Sequence, residues 1–290
     1  MNVDTLIDRV LDRAVAASEV PGAPPMLGQA IRHAVFPGGA RVRPKLCVAV
    51  TAACGEGRGM EAASGAAAAL ELMHCASLVH DDLPAFDGAA IRRGKPSVHS
   101  AFGEPLAVLA GDAMIVIAFE TLLNQCRSAP ELLPALMTIL IEAVGSPRGI
   151  VAGQAWESEA SIDLSAYHQA KTGALFVAAS MSGAAAAGLD PAPWRALGER
   201  LGEAYQVADD LRDVLLDEAE LGKPAGQDAS LLRPNAVHNF GVAGAIARLK
   251  GLIADASDSI PDCAGAPMLR DIVHGQAARL MPKSLLRDVA

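Results

Sequence analysis

Residues 60–83, MEAASGAAAALELMHCASLVHDDL, constrain the fold more than any other stretch. Alanine is the strongest helix former, and the lower part of this segment is almost wholly alanine, glycine and leucine. A helix without a polar face must be surrounded by other helices, and small side chains let them approach closely. Residues 106–126 and 174–189 have the same character. With 51% hydrophobic and only 3% aromatic residues, Ala, Leu and Val must supply most of the core. No stretch alternates with strand period. The expected fold is therefore all-α. Helices are expected over 3–18, 26–36, 45–54, 60–83, 106–126, 130–144, 149–159, 166–188, 192–218, about 242–258 and 266–281. A polar loop is expected over 218–234. No linker separates two halves, so residues 1–290 are expected to form one domain.

A formal charge of −9 argues against nucleic-acid binding, which needs a basic surface. The five cysteines form no C-x-x-C pair and read as buried free thiols of a reducing cytoplasm. The N-terminus has no basic region followed by an apolar run, so no signal peptide is expected, and no membrane span is expected either.

Two acidic clusters follow long apolar helices. The first is Asp81, Asp82 and Asp87, leading to Arg92-Arg93-Gly94-Lys95-Pro96. The second is Asp209, Asp210 and Asp213, leading to Gly222-Lys223-Pro224. From Asp81 to Gly94 and from Asp209 to Gly222 the distance is the same, 13 residues. Asp209 and Asp213 are four apart and share a helix face. Repelling carboxylates need a counter-charge, and a hard divalent cation such as Mg²⁺ supplies it while also binding phosphate oxygens. Pro84 should end the first helix near Asp82, so that the following loop brings Asp87 back toward Asp81. The pattern points to joint metal and phosphate chemistry.

These residues resemble the trans-isoprenyl diphosphate synthases, the short-chain polyprenyl synthases. The first aspartate-rich motif of that family stands here as Asp81-Asp82-Leu83-Pro84-Ala85-Phe86-Asp87 with Arg92-Arg93-Gly94. The second stands as Tyr205-Gln206-Val207-Ala208-Asp209-Asp210-Leu211-Arg212-Asp213. Gly38-Gly39-Ala40-Arg41-Val42-Arg43-Pro44, Gly153-Gln154 and Lys171-Thr172-Gly173 match in the same order. The resemblance implies the isoprenoid synthase fold, with helices around a deep central apolar cavity, and a homodimer. It implies head-to-tail condensation of isopentenyl diphosphate with an allylic diphosphate: dimethylallyl, geranyl or farnesyl. Asp81, Asp87 and Asp209 would hold Mg²⁺, three ions per site, with Mn²⁺ able to substitute. Asp82, Asp210 and Asp213 would support them. Arg92, Lys171, Thr172, Gln206 and Lys223 would face the allylic substrate. Arg43, His74 and Arg93 would hold isopentenyl diphosphate. Arg233 keeps the charge of a lysine common in the family.

Ala40 departs from the family, many of whose members carry a lysine there that contacts isopentenyl diphosphate. Either Arg41 or Lys45 compensates in part, or affinity for isopentenyl diphosphate is expected to be lower. The cavity floor should lie a helical turn or more below Asp81. There Ala76 and Ser77 are small, where enzymes that stop at fifteen carbons often have an aromatic. The expected product is geranylgeranyl diphosphate, with farnesyl or geranyl diphosphate as alternatives. Three rivals remain at this point. A metal-dependent phosphohydrolase would need several histidine ligands. A terpene cyclase would not need the second Asp motif. A non-catalytic partner subunit would show degraded motifs.

Overall fold

The computed structural model describes residues 2–36, 38–55, 59–215 and 236–280. It is all-α, as expected. Among the described residues the α-helices are α1 (Val3–Ala16), α2 (Pro25–Val35), α3 (Val42–Cys54), α4 (Met60–Asp81), α5 (Val98–Phe102), α6 (Glu104–Gln125), α7 (Leu133–Val144), α8 (Ile150–Ala155), α9 (Leu164–His168), α10 (Ala174–Ala186), α11 (Arg195–Leu215), α12 (Ala236–Asp258) and α13 (Ala266–Leu280). A π-helical turn, Gln169–Gly173, joins α9 to α10. Two short antiparallel strands, β1 (Ile91–Arg92) and β2 (Lys95–Pro96), form a hairpin.

The chain divides into two compact units, Met1–Leu140 with Ser182–Leu189, and Ile141–Met181 with Asp190–Ala290. In the first unit α4 is the central helix. Ala62, Ala63, Ala66 to Ala69, Leu70, Leu72 and Met73 are all buried. It runs antiparallel to α6. A Cβ on Gly65 would come within 2.5 Å of Gln125 Cβ near one end of the pair. At the other end, a Cβ on Gly111 would fall 2.0 Å from the His80 ring. The lack of side chains at these two positions permits the close approach that the alanine-rich sequence demands. In the second unit α11 packs on α12 and on the π turn. A Cβ on Gly198 would meet Val177 Cα at 2.4 Å and Phe176 O at 2.7 Å, so α10 and α11 touch backbone to backbone.

Some helix limits differ from the sequence reading for physical reasons. α3 begins at Val42, before Pro44, because proline is tolerated in a first turn. In α12, Gly241 leaves helical geometry (φ 67°), so the run expected from about 242 follows a kink. α4 and α6 are long and apolar enough to cross a membrane, but α4 is largely buried. Val108, Leu109, Val116 and Leu123 of α6 are exposed.

Candidate active site

The first acidic cluster forms where α4 stops. Asp82 N–H still bonds Leu78 O at 3.0 Å, and Leu83 N–H then bonds His80 O in a tighter turn. The chain loops through Pro84 and returns, with Asp87 N–H donating to Asp81 O at 2.9 Å. The return brings an Asp87 carboxylate oxygen within 4.8 Å of one on Asp81, as the position of Pro84 predicted. Two half-buried carboxylates offering only hard oxygen donors at this spacing suit Mg²⁺.

The adjacent Asp82 faces the other way. It is buried, and its Oδ1 accepts from Arg92 Nε at 2.9 Å and from Arg92 Nη2. Burial raises the Asp82 pKa above the usual carboxylate range, and the Arg92 hydrogen bond opposes that shift. Asp82 thus tethers Arg92 to the end of α4 from β1. Arg93 and Gly94 make the hairpin turn with φ of 55° and 74°. Two left-handed residues are what a two-residue hairpin of this hand requires. Glycine adopts that conformation freely, whereas Arg93 does so at a cost of about 1 kcal/mol.

Arginines gather around His74. Burial is the main cause that holds its pKa well below the usual histidine range, followed by the charges of Arg43, Arg93, Arg92 and Arg41. His74 is therefore a neutral donor or acceptor inside a cationic cluster. The structure brings together Arg43, His74 and Arg93, the three residues expected at isopentenyl diphosphate.

Both expected substitutes for the missing lysine at 40 have acidic partners of their own. Arg41 is buried, with Nη1 on Glu71 at 2.6 Å and Nη2 on the Val35 carbonyl at 2.9 Å. Lys45 pairs with Asp4 at 2.8 Å. Ala40 itself is exposed. Of the expected chain-length residues, Ala76 is buried at 2% exposure, while Ser77 is half-buried and donates to His74 O. The other histidines of this unit bond to backbone: His80 to Val108 O, His99 to Ala89 O, and His33 to Pro96 O. That use is unlike the converging ligand set of a histidine-metal hydrolase.

In the second unit, the π turn carries Lys171 and Thr172. It sits where Gly153 lets α8 come close, since a Cβ there would meet Lys171 N at 2.4 Å. Lys171 Nζ pairs with Glu157 Oε1, which also accepts from Tyr167 O–H at 2.6 Å. Glu157 was not singled out from the sequence; its place three residues after Gln154 was the available signal. Thr172 Oγ1 donates to Gln206 Oε1 at 2.9 Å, and Gln206 Nε2 donates to Asp210 Oδ1 at 2.9 Å. Asp210 Oδ2 accepts from Ala236 N–H at 2.7 Å. Asp210 is thus buried in a hydrogen-bonded chain, whereas Asp209 and Asp213 are half-buried on α11. Lys223 and Arg233 lie outside the described residues.

Comparison with known proteins agrees with this arrangement. Residues 24–261 match the polyprenyl synthetase family. A geranylgeranyl diphosphate synthase of Cereibacter sphaeroides is 52% identical over 289 residues, covering 100% of both chains. One from Rhodobacter capsulatus is 50% identical, covering 97% of both. Among solved structures, a geranyltransferase of Helicobacter pylori complexed with magnesium and isoprenyl diphosphate aligns with a TM-score of 0.78 and 27% identity. It covers 96% of this chain and 98% of that one. An FPP/GFPP synthase from Zymomonas mobilis gives 0.77 at 31% identity, over 94% and 98%. With its fold, its two acidic motifs and this full-length identity, the chain belongs to the polyprenyl synthetase family.

Proposed function

We propose that this enzyme joins isopentenyl diphosphate to an allylic diphosphate and releases inorganic diphosphate, extending the chain to geranylgeranyl diphosphate. The observation that carries the reading is the end of α4. Within a few residues it presents two oxygen-only carboxylates and a cluster of arginines around a neutral histidine. One set suits a metal-bound diphosphate and the other a second diphosphate.

In this reading Asp81, Asp87 and Asp209 hold Mg²⁺, three ions per site, and Mn²⁺ can replace it. When bound, the metal neutralises charge that develops on the leaving diphosphate. Arg92, Lys171 and Lys223 add fixed positive charge at the same place. The C1–O bond of the allylic substrate breaks, and the terminal alkene carbon of isopentenyl diphosphate forms a bond to C1. The departing diphosphate takes the proton that restores the double bond. Thr172 and Gln206 present oxygen dipoles to the cation without offering it a nucleophilic charge. Arg43, Arg93 and His74 hold isopentenyl diphosphate, and a neutral His74 donates one hydrogen bond without adding to the cationic cluster. Asp82 and Asp210 act through others, Asp82 by tethering Arg92 and Asp210 by orienting Gln206. An apolar cavity lined by small side chains shields the cation from water. Residues 1–290 act as one catalytic domain in a cytoplasmic homodimer.

The reading is tested by incubating purified protein with Mg²⁺, isopentenyl diphosphate and each allylic primer. Twenty-carbon product is expected from all three primers. Phosphate release without carbon–carbon bond formation would overturn it.

Four further results are expected. Ser77→Phe fills a half-buried position one turn below Asp81, and it shifts the main product to fifteen carbons, read by chromatography of the dephosphorylated alcohols. Ala76→Tyr acts in the same direction but also lowers stability, because its site is already packed. Ala40→Lys restores an exposed cation beside the arginine cluster and lowers KM for isopentenyl diphosphate by about three- to tenfold, with kcat little changed. Finally, the exposed Val116, 66% accessible, shares a face of α6 with the exposed Leu109 and Leu123, interspersed with the exposed Asp112 and Glu120, and that face suits a twofold interface. Val116→Glu should yield monomer by light scattering.

A further inference from the structure

Of the three basic residues in Arg92-Arg93-Gly94-Lys95-Pro96, Lys95 has no part in the reaction proposed above. Its ammonium donates to the carbonyl of Phe36 at 2.7 Å and to that of His33. Both carbonyls stand at the C-terminal end of α2, where helical partners run out and the helix dipole favours a cation. The next residue is fastened to the same place, because His33 Nε2 bonds Pro96 O at 2.8 Å. The other arm of the hairpin is held too. Ser97 N–H donates to Ala90 O at 2.9 Å, and His99 Nε2 bonds Ala89 O at 3.0 Å. Between these anchors sits Arg93, in a left-handed conformation that persists only where the surroundings enforce it. Its guanidinium lies beside Gly39, where a Cβ would approach to 3.3 Å, and 4.0 Å from Glu71. Partial burial and the charge of Arg93 both lower the Lys95 pKa, so the ammonium stays at this spot against its own desolvation and its neighbour's repulsion. The α2 carbonyls are what hold it.

We infer that Lys95 and His33 are positioning residues: they clamp the β1–β2 hairpin onto the end of α2 and so hold Arg93 in the conformation that receives isopentenyl diphosphate. Lys95 itself touches no substrate. The inference rests on the reading of Arg93 given above. It separates the two arginines of the motif by their supports: Arg92 is set by Asp82 at the end of α4, and Arg93 by the end of α2.

The test is a double-mutant cycle on the full-length enzyme with Lys95→Met and Arg93→Gln. Lys95→Met keeps the stem and removes the charge. It should raise KM for isopentenyl diphosphate about tenfold, while kcat and KM for the allylic primer change less than about threefold. Lys95→Arg, whose guanidinium still reaches the carbonyls, should restore most of the loss. Arg93→Gln alone should raise the same KM further, and the double variant should be no worse than Arg93→Gln. Multiplying effects in the double variant would overturn the inference, since Lys95 would then act independently of Arg93. An unchanged KM in Lys95→Met beside a raised one in Arg93→Gln would remove the inference alone. An unchanged KM in Arg93→Gln would remove the reading of Arg93 together with the inference. If Lys95→Met does not fold, Lys95→Gln, which removes the charge but keeps an amide donor group, is read the same way with a smaller expected rise in KM.

Discussion

Asp81→Ala lowers kcat for condensation by about 10³-fold or more at saturating Mg²⁺, with a thermal midpoint close to that of the parent protein. The reason lies in where its carboxylate stands. Asp81 is half-buried at the end of a helix, within 4.8 Å of Asp87, and two like charges this close repel each other, so removing one of them costs the fold little. The neighbouring Asp82 should behave differently. Its carboxylate is buried against Arg92, so Asp82→Ala lowers stability as well as rate. A pair of adjacent aspartates therefore separates into one residue whose loss is read only in turnover and one whose loss is read in both turnover and melting. A fall of less than tenfold in Asp81→Ala would mean that it holds no ion required for the leaving group.

Gly198→Ala destabilises the protein by about 2 kcal/mol or more, although helix propensity alone predicts a gain of about 1 kcal/mol. Its new Cβ would lie 2.4 Å from Val177 Cα and 2.7 Å from both Phe176 O and Ser180 Oγ. Two of these are backbone atoms, which cannot turn aside, so α10 and α11 must separate. Gly251 in α12 is the matched control, because a Cβ there meets nothing within 4 Å. Gly251→Ala should therefore raise stability by about 0.5–1 kcal/mol. Melting by circular dichroism checks both, and shifts of the same sign would contradict the packing argument.

The helices were legible in the sequence because long apolar runs without strand alternation leave no other way to bury themselves. Pro84 announced the end of α4 and the return of Asp87. The hairpin at 91–96 was not visible, since two paired residues per strand are too few to show alternation. Nor could spacing say that Asp82 turns inward while Asp81 does not, because adjacent helical residues differ by about 100° and only the tertiary position of Arg92 decides which is covered. Lys95 and Phe36 are 59 residues apart, so the helix end that receives Lys95 has no local signature. Arg41 and Lys45 looked like free cations for the same reason, since the acidic groups that take them, Glu71 and Asp4, come from other helices.

The π turn at Gln169–Gly173 makes the site depend on the length of the chain and not on residue identity alone. Such a turn is an α-helix carrying one inserted residue. A coding sequence shorter by one codon there would wind as a plain helix and rotate Lys171 and Thr172 by about 100° relative to everything after them. Thr172 could not then meet Gln206 and Lys171 could not meet Glu157 at the same time. The pairings now seen therefore depend on the number of residues in this turn, with Gly153 small enough to accept the widened backbone against it.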